Sequence, residues 1–181
     1  MKTKLPLYLA LLLLTQCSKC KTDDPAPAAP NPVDMLPPAT QTGQRTFGCL
    51  LNGQPWNPAG NPFAAPVFSA EYYQNRLGVS CRRAFNNSNG SVISNQSMEF
   101  AIDSVVGPKI YILDDATKYV LKYNDYVTNC QYATGNGMTA TVELTRFDPV
   151  ARIVSGTFFF TLEKPGCGRV LVTDGRFDSR F

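Results

Sequence analysis

Histidine is absent from the 181-residue chain. Ser-His-Asp and Cys-His catalysis need an imidazole, as do most catalytic zinc sites, so those enzyme classes are excluded. Carboxylate and Ser-Lys chemistry survive only by default. Charge is sparse, with 17 Lys plus Arg against 14 Asp plus Glu and no dense basic run. Neither nucleic-acid binding nor a polybasic membrane contact is expected from that balance. After the first seventeen residues, no apolar stretch approaches about 18 residues, the length needed to span a bilayer as a helix. Helical periodicity over three turns is also missing. The length suits one domain with its own core.

The N-terminus is what the chain does have. Lys2 and Lys4 precede an almost unbroken apolar run from Leu5 to Leu14, followed by Thr15-Gln16-Cys17. A charged start and a short apolar run read as an export signal. Leu14-Thr15-Gln16-Cys17 resembles the lipobox of bacterial lipoproteins, with Gln16 where that motif usually has a small residue. The resemblance implies a signal peptide over residues 1–16 and lipidation of Cys17; an ordinary secretory signal is the alternative. Cleavage would remove Lys2 and Lys4, taking the net charge from +3 to +1. Several acyl chains on one cysteine hold a protein to a membrane far better than one chain does.

Residues 17–44 read as a tether. Pro25, Pro27, Pro30, Pro32, Pro37 and Pro38 lie among Ala and Thr with few large apolar groups. Such a segment buries too little surface to fold and favours polyproline II. At about 3.1 Å per residue, Pro25 to Gln41 would extend roughly 50 Å. Lys19, Lys21, Asp23 and Asp24 resemble the lysine-plus-acidic export signal of Bacteroidota surface lipoproteins, and equally suit a solvated linker end.

Residues 45–181 form the expected folded domain. Thr46 to Leu51 reads as a strand ending in Asn52-Gly53, a strong hairpin signal. Val67 to Tyr73 and Arg76 to Ala84 suit strands paired around Gln74-Asn75. Phe85 to Gln96, rich in Asn, Ser and Gly, reads as a long exposed loop. Further strands are expected at Ser97–Val105, Ile110–Leu113 and Tyr119–Tyr123. In Met138 to Phe147, Ala140, Val142 and Leu144 alternate with polar residues, the mark of a half-buried strand. Arg152 to Glu163 puts Val154, Phe158, Phe160 and Leu162 on one face; Ser155, Thr157 and Thr161 take the other, with Phe159 the exception. Arg169 to Thr173 is a last strand before a turn at Asp174-Gly175. The expectation is an all-β fold, an antiparallel sandwich or small open barrel.

In an exported protein Cys49, Cys81, Cys130 and Cys167 read as two disulfides, with three connectivities open. If Met138–Phe147 and Arg152–Glu163 pair around Asp148-Pro149, Cys130 and Cys167 fall just beyond the open end of that hairpin in nearly matching register. A Cys130–Cys167 bond is therefore expected, and Cys49–Cys81 follows by elimination. Those four cysteines lack the paired CxxC spacing of a zinc site. Cys20 is left over.

Other candidates are weaker. Asp114-Asp115 and Asn124-Asp125 offer oxygen ligands without the alternation of a calcium loop, so turn residues are the better reading. Tyr72, Tyr73, Tyr111, Tyr119, Tyr123, Tyr126 and Tyr132, with Trp56, suit either a ligand surface or, more simply, a β core. Asp103-Ser104-Val105 resembles a Bacteroidota O-glycosylation motif, which would place a glycan on Ser104. No metal or other cofactor is implied.

Thr46-Phe47-Gly48-Cys49, Asn52-Gly53, Trp56-Asn57-Pro58, Ser155-Gly156-Thr157-Phe158 and Thr173-Asp174-Gly175-Arg176-Phe177-Asp178 together resemble a family of uncharacterised Bacteroidota lipoproteins with one domain of unknown function. The resemblance covers about Thr46 to the C-terminus and implies a small β-rich envelope domain, with no activity to transfer. In physical terms Gly53 and Gly175 read as turn glycines, Gly156 as a bulge or close contact, and Arg176 as an ion-pair partner for Asp174 and Asp178.

The expected function is a non-catalytic, lipid-anchored outer-membrane lipoprotein. Its partners would be the membrane, through the anchor, and an envelope protein or glycan, with no nucleic acid. A small-ligand carrier would need a large aromatic-lined cavity. A carboxylate-based glycan hydrolase would need two carboxylates facing each other across a cleft.

Overall fold

The computed structural model describes residues 30–61, 63, 66–114 and 120–181. Cys17, Cys20, Asp115, Tyr119 and the expected signal peptide lie outside the described residues. In chain order the strands are β1 (Thr46–Leu51), β2 (Gln54–Trp56), β3 (Phe68–Tyr73), β4 (Arg76–Asn86), β5 (Val92–Ile102), β6 (Ile110–Leu113), β7 (Val120–Asp125), β8 (Cys130–Ala133), β9 (Ala140–Asp148), β10 (Ile153–Lys164) and β11 (Gly168–Arg180). They form two antiparallel sheets, ordered β2-β1-β11-β10-β9-β6 and β3-β4-β5-β7-β8. The expected all-β fold is thus a sandwich rather than a barrel.

Local chemistry accounts for the hairpins. Asn52 and Gly53 both take positive φ (50° and 78°), as do Gln74 and Asn75 (49° and 63°). Two successive left-handed residues give a turn whose twist matches that of the paired strands. The long loop expected over Phe85–Gln96 is instead the tip of one long hairpin. β4 runs on to Asn86 and β5 starts at Val92, because Asn87 folds the tip by accepting from the backbone N–H groups of Asn89 and Ser91. The polar composition there reflects strands with one solvated face.

Between the sheets, Phe47, Phe68, Phe100, Phe158 and Phe177 form a continuous ring cluster. Phe47–Phe158 centroids lie 5.0 Å apart, and Phe47–Phe68 and Phe100–Phe177 each 5.5 Å. Ala140, Val142, Leu144, Val154, Phe158, Phe160 and Leu162 are all buried, as their alternation predicts. Burying each large side chain contributes about 1.5–3 kcal/mol.

Two boundaries change. The domain does not start at residue 45: Pro32–Met35 forms a 3-10 turn capped by the Asn31 side chain, Leu36 is buried, and Pro37 packs over Gly48. This arm is then tied down by Asp178. The fully buried carboxylate accepts from Thr40 Oγ1 (2.7 Å), the backbone N–H groups of Thr42, Gly43 and Gln44 (3.0, 2.7 and 3.1 Å), and Ser155 Oγ (2.7 Å). Burial opposes its charge, but the bonds from Thr40, Ser155, Gln44 and Gly43 outweigh that and bring its pKa down to about 2. Asp178 is therefore not the partner of Arg176, whose Nε donates to the backbone oxygen of Asp174 at 3.2 Å.

The second change is at Asp174-Gly175, where no turn forms. β11 continues through a bulge, with Phe158 opposite Gly175 and Phe160 opposite Val172. Thr173 and Asp174 together therefore face Phe159. Asp174, not Gly175, takes the positive φ (53°). Gly175 is required for space, since a Cβ there would lie 2.5 Å from the Phe158 carbonyl oxygen and 2.6 Å from its ring. Gly156 sits at a register shift between β9 and β10, in close contact with Glu143 and Phe177.

Candidate functional site

The bulge in β11 shapes the outer face of the six-stranded sheet. Placing two residues opposite one bends the strand and re-aims neighbouring side chains. Phe159 emerges there 58% exposed, with Leu171 at 38% and Ile112 at 43%. Ile112, Thr141 and Phe159 stand in one row across β6, β9 and β10, and Thr161 pairs with Leu171 across β10 and β11. Thr141, Phe159, Thr161 and Leu171 border a trough of about 860 Å³, rimmed by Asn136, Glu163 and Asp174. Its walls are steadied by the β1–β2 turn, where Asn52 Oδ1 accepts from Leu171 N–H at 2.8 Å and Asn52 N–H donates to Leu171 O at 2.8 Å. Beyond it, Met138 Sδ accepts from Glu163 N–H at 3.1 Å.

The outer face of the five-stranded sheet has a different chemistry. Its groove, about 420 Å³, is floored by small residues such as Gly78 and Ala101 and walled by Glu71, Arg76, Glu99 and Lys122. Most of these polar groups already have partners. Arg76 pairs with Asp103 at 2.8 Å, Lys122 with Glu99 at 3.4 Å, and Ser69 Oγ lies 3.1 Å from Ser80 Oγ.

Cys130 and Cys167 are bonded, as expected, with Cα atoms 5.7 Å apart. The route to that bond differs from the register argument. Cys130 lies on β8, an edge strand of the five-stranded sheet, while Cys167 sits in the β10–β11 turn of the other sheet. The bond therefore clips the two sheets together, and Tyr132 Oη reinforces it by donating to Cys167 O at 2.8 Å.

The expected Cys49–Cys81 bond is not formed, and both residues are free, buried thiols. Cys49 is on β1, opposite the β11 bulge; Cys81 is on β4 and donates from Sγ to Met98 O at 3.3 Å. Burial pushes the Cys49 thiol up to about 12 and the Cys81 thiol well above its ordinary value, with each facing little water. Free cysteines buried in a packed core behave as small apolar residues.

Trp56, Tyr111, Tyr123 and Tyr132 are buried, so they belong to the core rather than to a ligand surface. Trp56 Nε1 donates to Gln96 Oε1 at 2.7 Å, and Gln96 Nε2 to Asp125 Oδ2 at 3.2 Å, which satisfies the polar tip of the one tryptophan. Asp125 also accepts from the N–H groups of Val127 and Thr128, a turn-capping role. Among the described residues no group of three or more His, Cys, Asp or Glu side chains converges as a metal site would require. Asp148 is likewise structural: bonds from Ala151 N–H and Arg146 lower its pKa, and it closes the β9–β10 turn. Ser104 is exposed, at φ 57°, directly after Asp103.

The residue that sequence reasoning passed over is Phe159. Its signal was present as the one break in the β10 alternation, an aromatic on the polar face. No protein-family model, curated protein or solved structure matches the chain.

Proposed function

We propose that this protein is a lipid-anchored envelope protein whose β-sandwich is a non-catalytic binding module, engaging its target through the Phe159 trough. The carrying observation is Phe159 itself. A large aromatic ring stands on the solvent face of β10, opposite a β11 bulge that keeps a left-handed Asp174 and a glycine whose Cβ would collide with the Phe158 backbone. Strain kept at an exposed position is a pointer to function.

Supporting the anchor are the lipobox-like Leu14-Thr15-Gln16-Cys17 and the Cys130–Cys167 bond, which suits an oxidising compartment. The two carboxylates with lowered pKa, Asp148 and Asp178, hold backbone N–H groups, whereas a glycosidase acid needs a raised pKa. A carrier cavity is disfavoured because the inward aromatics fill the space between the sheets.

The anchor is tested by labelled palmitate, which Cys17→Ser should fail to incorporate; equal incorporation would refute it. Protease shaving of intact cells then reports which side of the membrane carries the sandwich. The binding face is tested by photo-crosslinkers in living cells, installed at Thr141 in the trough and at Ser80 on the opposite face. Discrete envelope adducts are expected from Thr141 alone; adducts equally frequent at both positions would remove the reading.

A further inference from the structure

We infer that the Phe159 trough is a binding site for a neutral glycan chain. This rests on the binding-module reading and names its ligand class. Three properties of the trough select that class.

The first is the combination of one open ring with a border of hydroxyls. Phe159 is exposed between Thr141 on β9 and Thr173 on β11, with Thr161 next along β10. A pyranose has an apolar C–H face that stacks on an aromatic ring, and hydroxyls around its rim that exchange hydrogen bonds with threonines. The second is charge. Glu163 and Asp174 border the trough, and among the described residues no Lys or Arg lines it. Glu163 has a long contact to Arg169 at 3.8 Å, with both side chains largely exposed, whereas the Asp174 carboxylate pairs with no cation among the described residues. Two acceptor-only groups favour a ligand rich in hydroxyl donors and repel phosphates, sulfates and uronic acids. The third is shape. The trough runs across β9, β10 and β11, about 10 Å at the usual strand spacing, and is open at its surface. A short run of sugar units fits such a site better than an enclosed small molecule does. A protein partner would instead favour a drier centre depleted of charge.

The test uses full-length protein extracted from membranes in detergent, passed over surfaces bearing a β-glucan, a galactomannan, xylan or starch, with chondroitin sulfate as the anionic probe. Saturable retention on at least one neutral polysaccharide, and none on chondroitin sulfate, is expected. Phe159→Ala should weaken that retention about tenfold while Phe159→Tyr keeps it. Asp174→Asn, which tolerates the left-handed backbone, should weaken it about threefold. Thermal melting of the three variants should match the parent, so a loss cannot be attributed to unfolding. Absence of retention on all four neutral surfaces, preference for chondroitin sulfate, or undiminished retention by Phe159→Ala would each overturn the inference. The Thr141 crosslinks separate the two claims. If the polysaccharides fail while Thr141 still forms protein adducts, the glycan falls and the binding face stands; if both fail, both fall.

Discussion

The two outer faces of the sandwich are built from the same alternation and have opposite characters. At the centre of the five-stranded sheet the outward residues are small or charged, and charged ones pair, Arg76 with Asp103 and Lys122 with Glu99, while its exposed apolar side chains, Tyr73, Val92 and Ile93, sit at strand ends. On the six-stranded sheet Ile112, Phe159 and Leu171 project among threonines, with Asp174 beside Phe159. The first face is satisfied by itself and water. The second exposes apolar surface that folding does not need. A β-sheet requires only one buried face, so the unburied face is free to record a second constraint, which we assign to the six-stranded sheet.

The sharpest test of that contrast concerns how the faces are held together. Cys130–Cys167 ties edge strand β8 to the β10–β11 turn across a separation of 37 residues, worth about 4 kcal/mol by loop closure. The Cys130→Ser/Cys167→Ser double variant should lose about that much in urea unfolding. Amide exchange should accelerate most in β7 and β8, leaving the β9–β11 trough better protected; uniform acceleration would show that the faces do not differ in autonomy.

Next in size is Asp178→Ala. It strands the donors of Thr42, Gly43 and Gln44 and releases the arm, for about 3 kcal/mol. The sign of the pH effect follows from the lowered pKa. The parent's extra stability is complete above the ordinary carboxylate value of 3.8 and is lost as pH falls through about 2. Asp178→Asn should flatten the acid limb of a melting profile, and an unchanged limb would assign it to other carboxylates.

The buried thiols predict the opposite limb. With Cys49 raised from 9.0 to about 12, its contribution is complete below pH 9 and is lost as pH climbs toward 12. Alkylation at neutral pH should label Cys49 and Cys81 only after denaturation; rapid labelling of the folded protein would place these thiols outside the core.

The smallest stability effects are expected on the faces themselves. Phe159→Ala and Lys122→Ala should each lie within about 0.5 kcal/mol of the parent, the usual range for surface positions. The contrast between the faces then appears in binding alone. If Phe159→Ala instead costs about 3 kcal/mol, the ring belongs to the core and the trough loses its rationale.

Much of this was legible in the chain. Alternation in Met138–Phe147 and Arg152–Glu163 foretold which side chains are buried in β9 and β10, and Asn52-Gly53 foretold the first hairpin. What misled was composition. Asn and Ser in Phe85–Gln96 resembled a loop, because a strand with a solvated face has the same polar content. Asp174-Gly175 resembled a turn, because a bulge needs the same permissive residues. Proline and alanine before Arg45 resembled tether throughout, although Thr40–Gln44 are held by a carboxylate more than 130 residues away.

Period-two hydrophobicity and turn chemistry are local, so the sequence by itself determined the all-β class and most strand positions. Which edges meet, where β11 bulges, and which of four cysteines come within bonding distance depend on contacts between residues far apart in the chain. Only the packed sandwich brings Cys130 to Cys167, closes the arm over Asp178 and sets the β11 bulge opposite Phe159, because each outcome joins segments far apart in the chain rather than lying within any one strand.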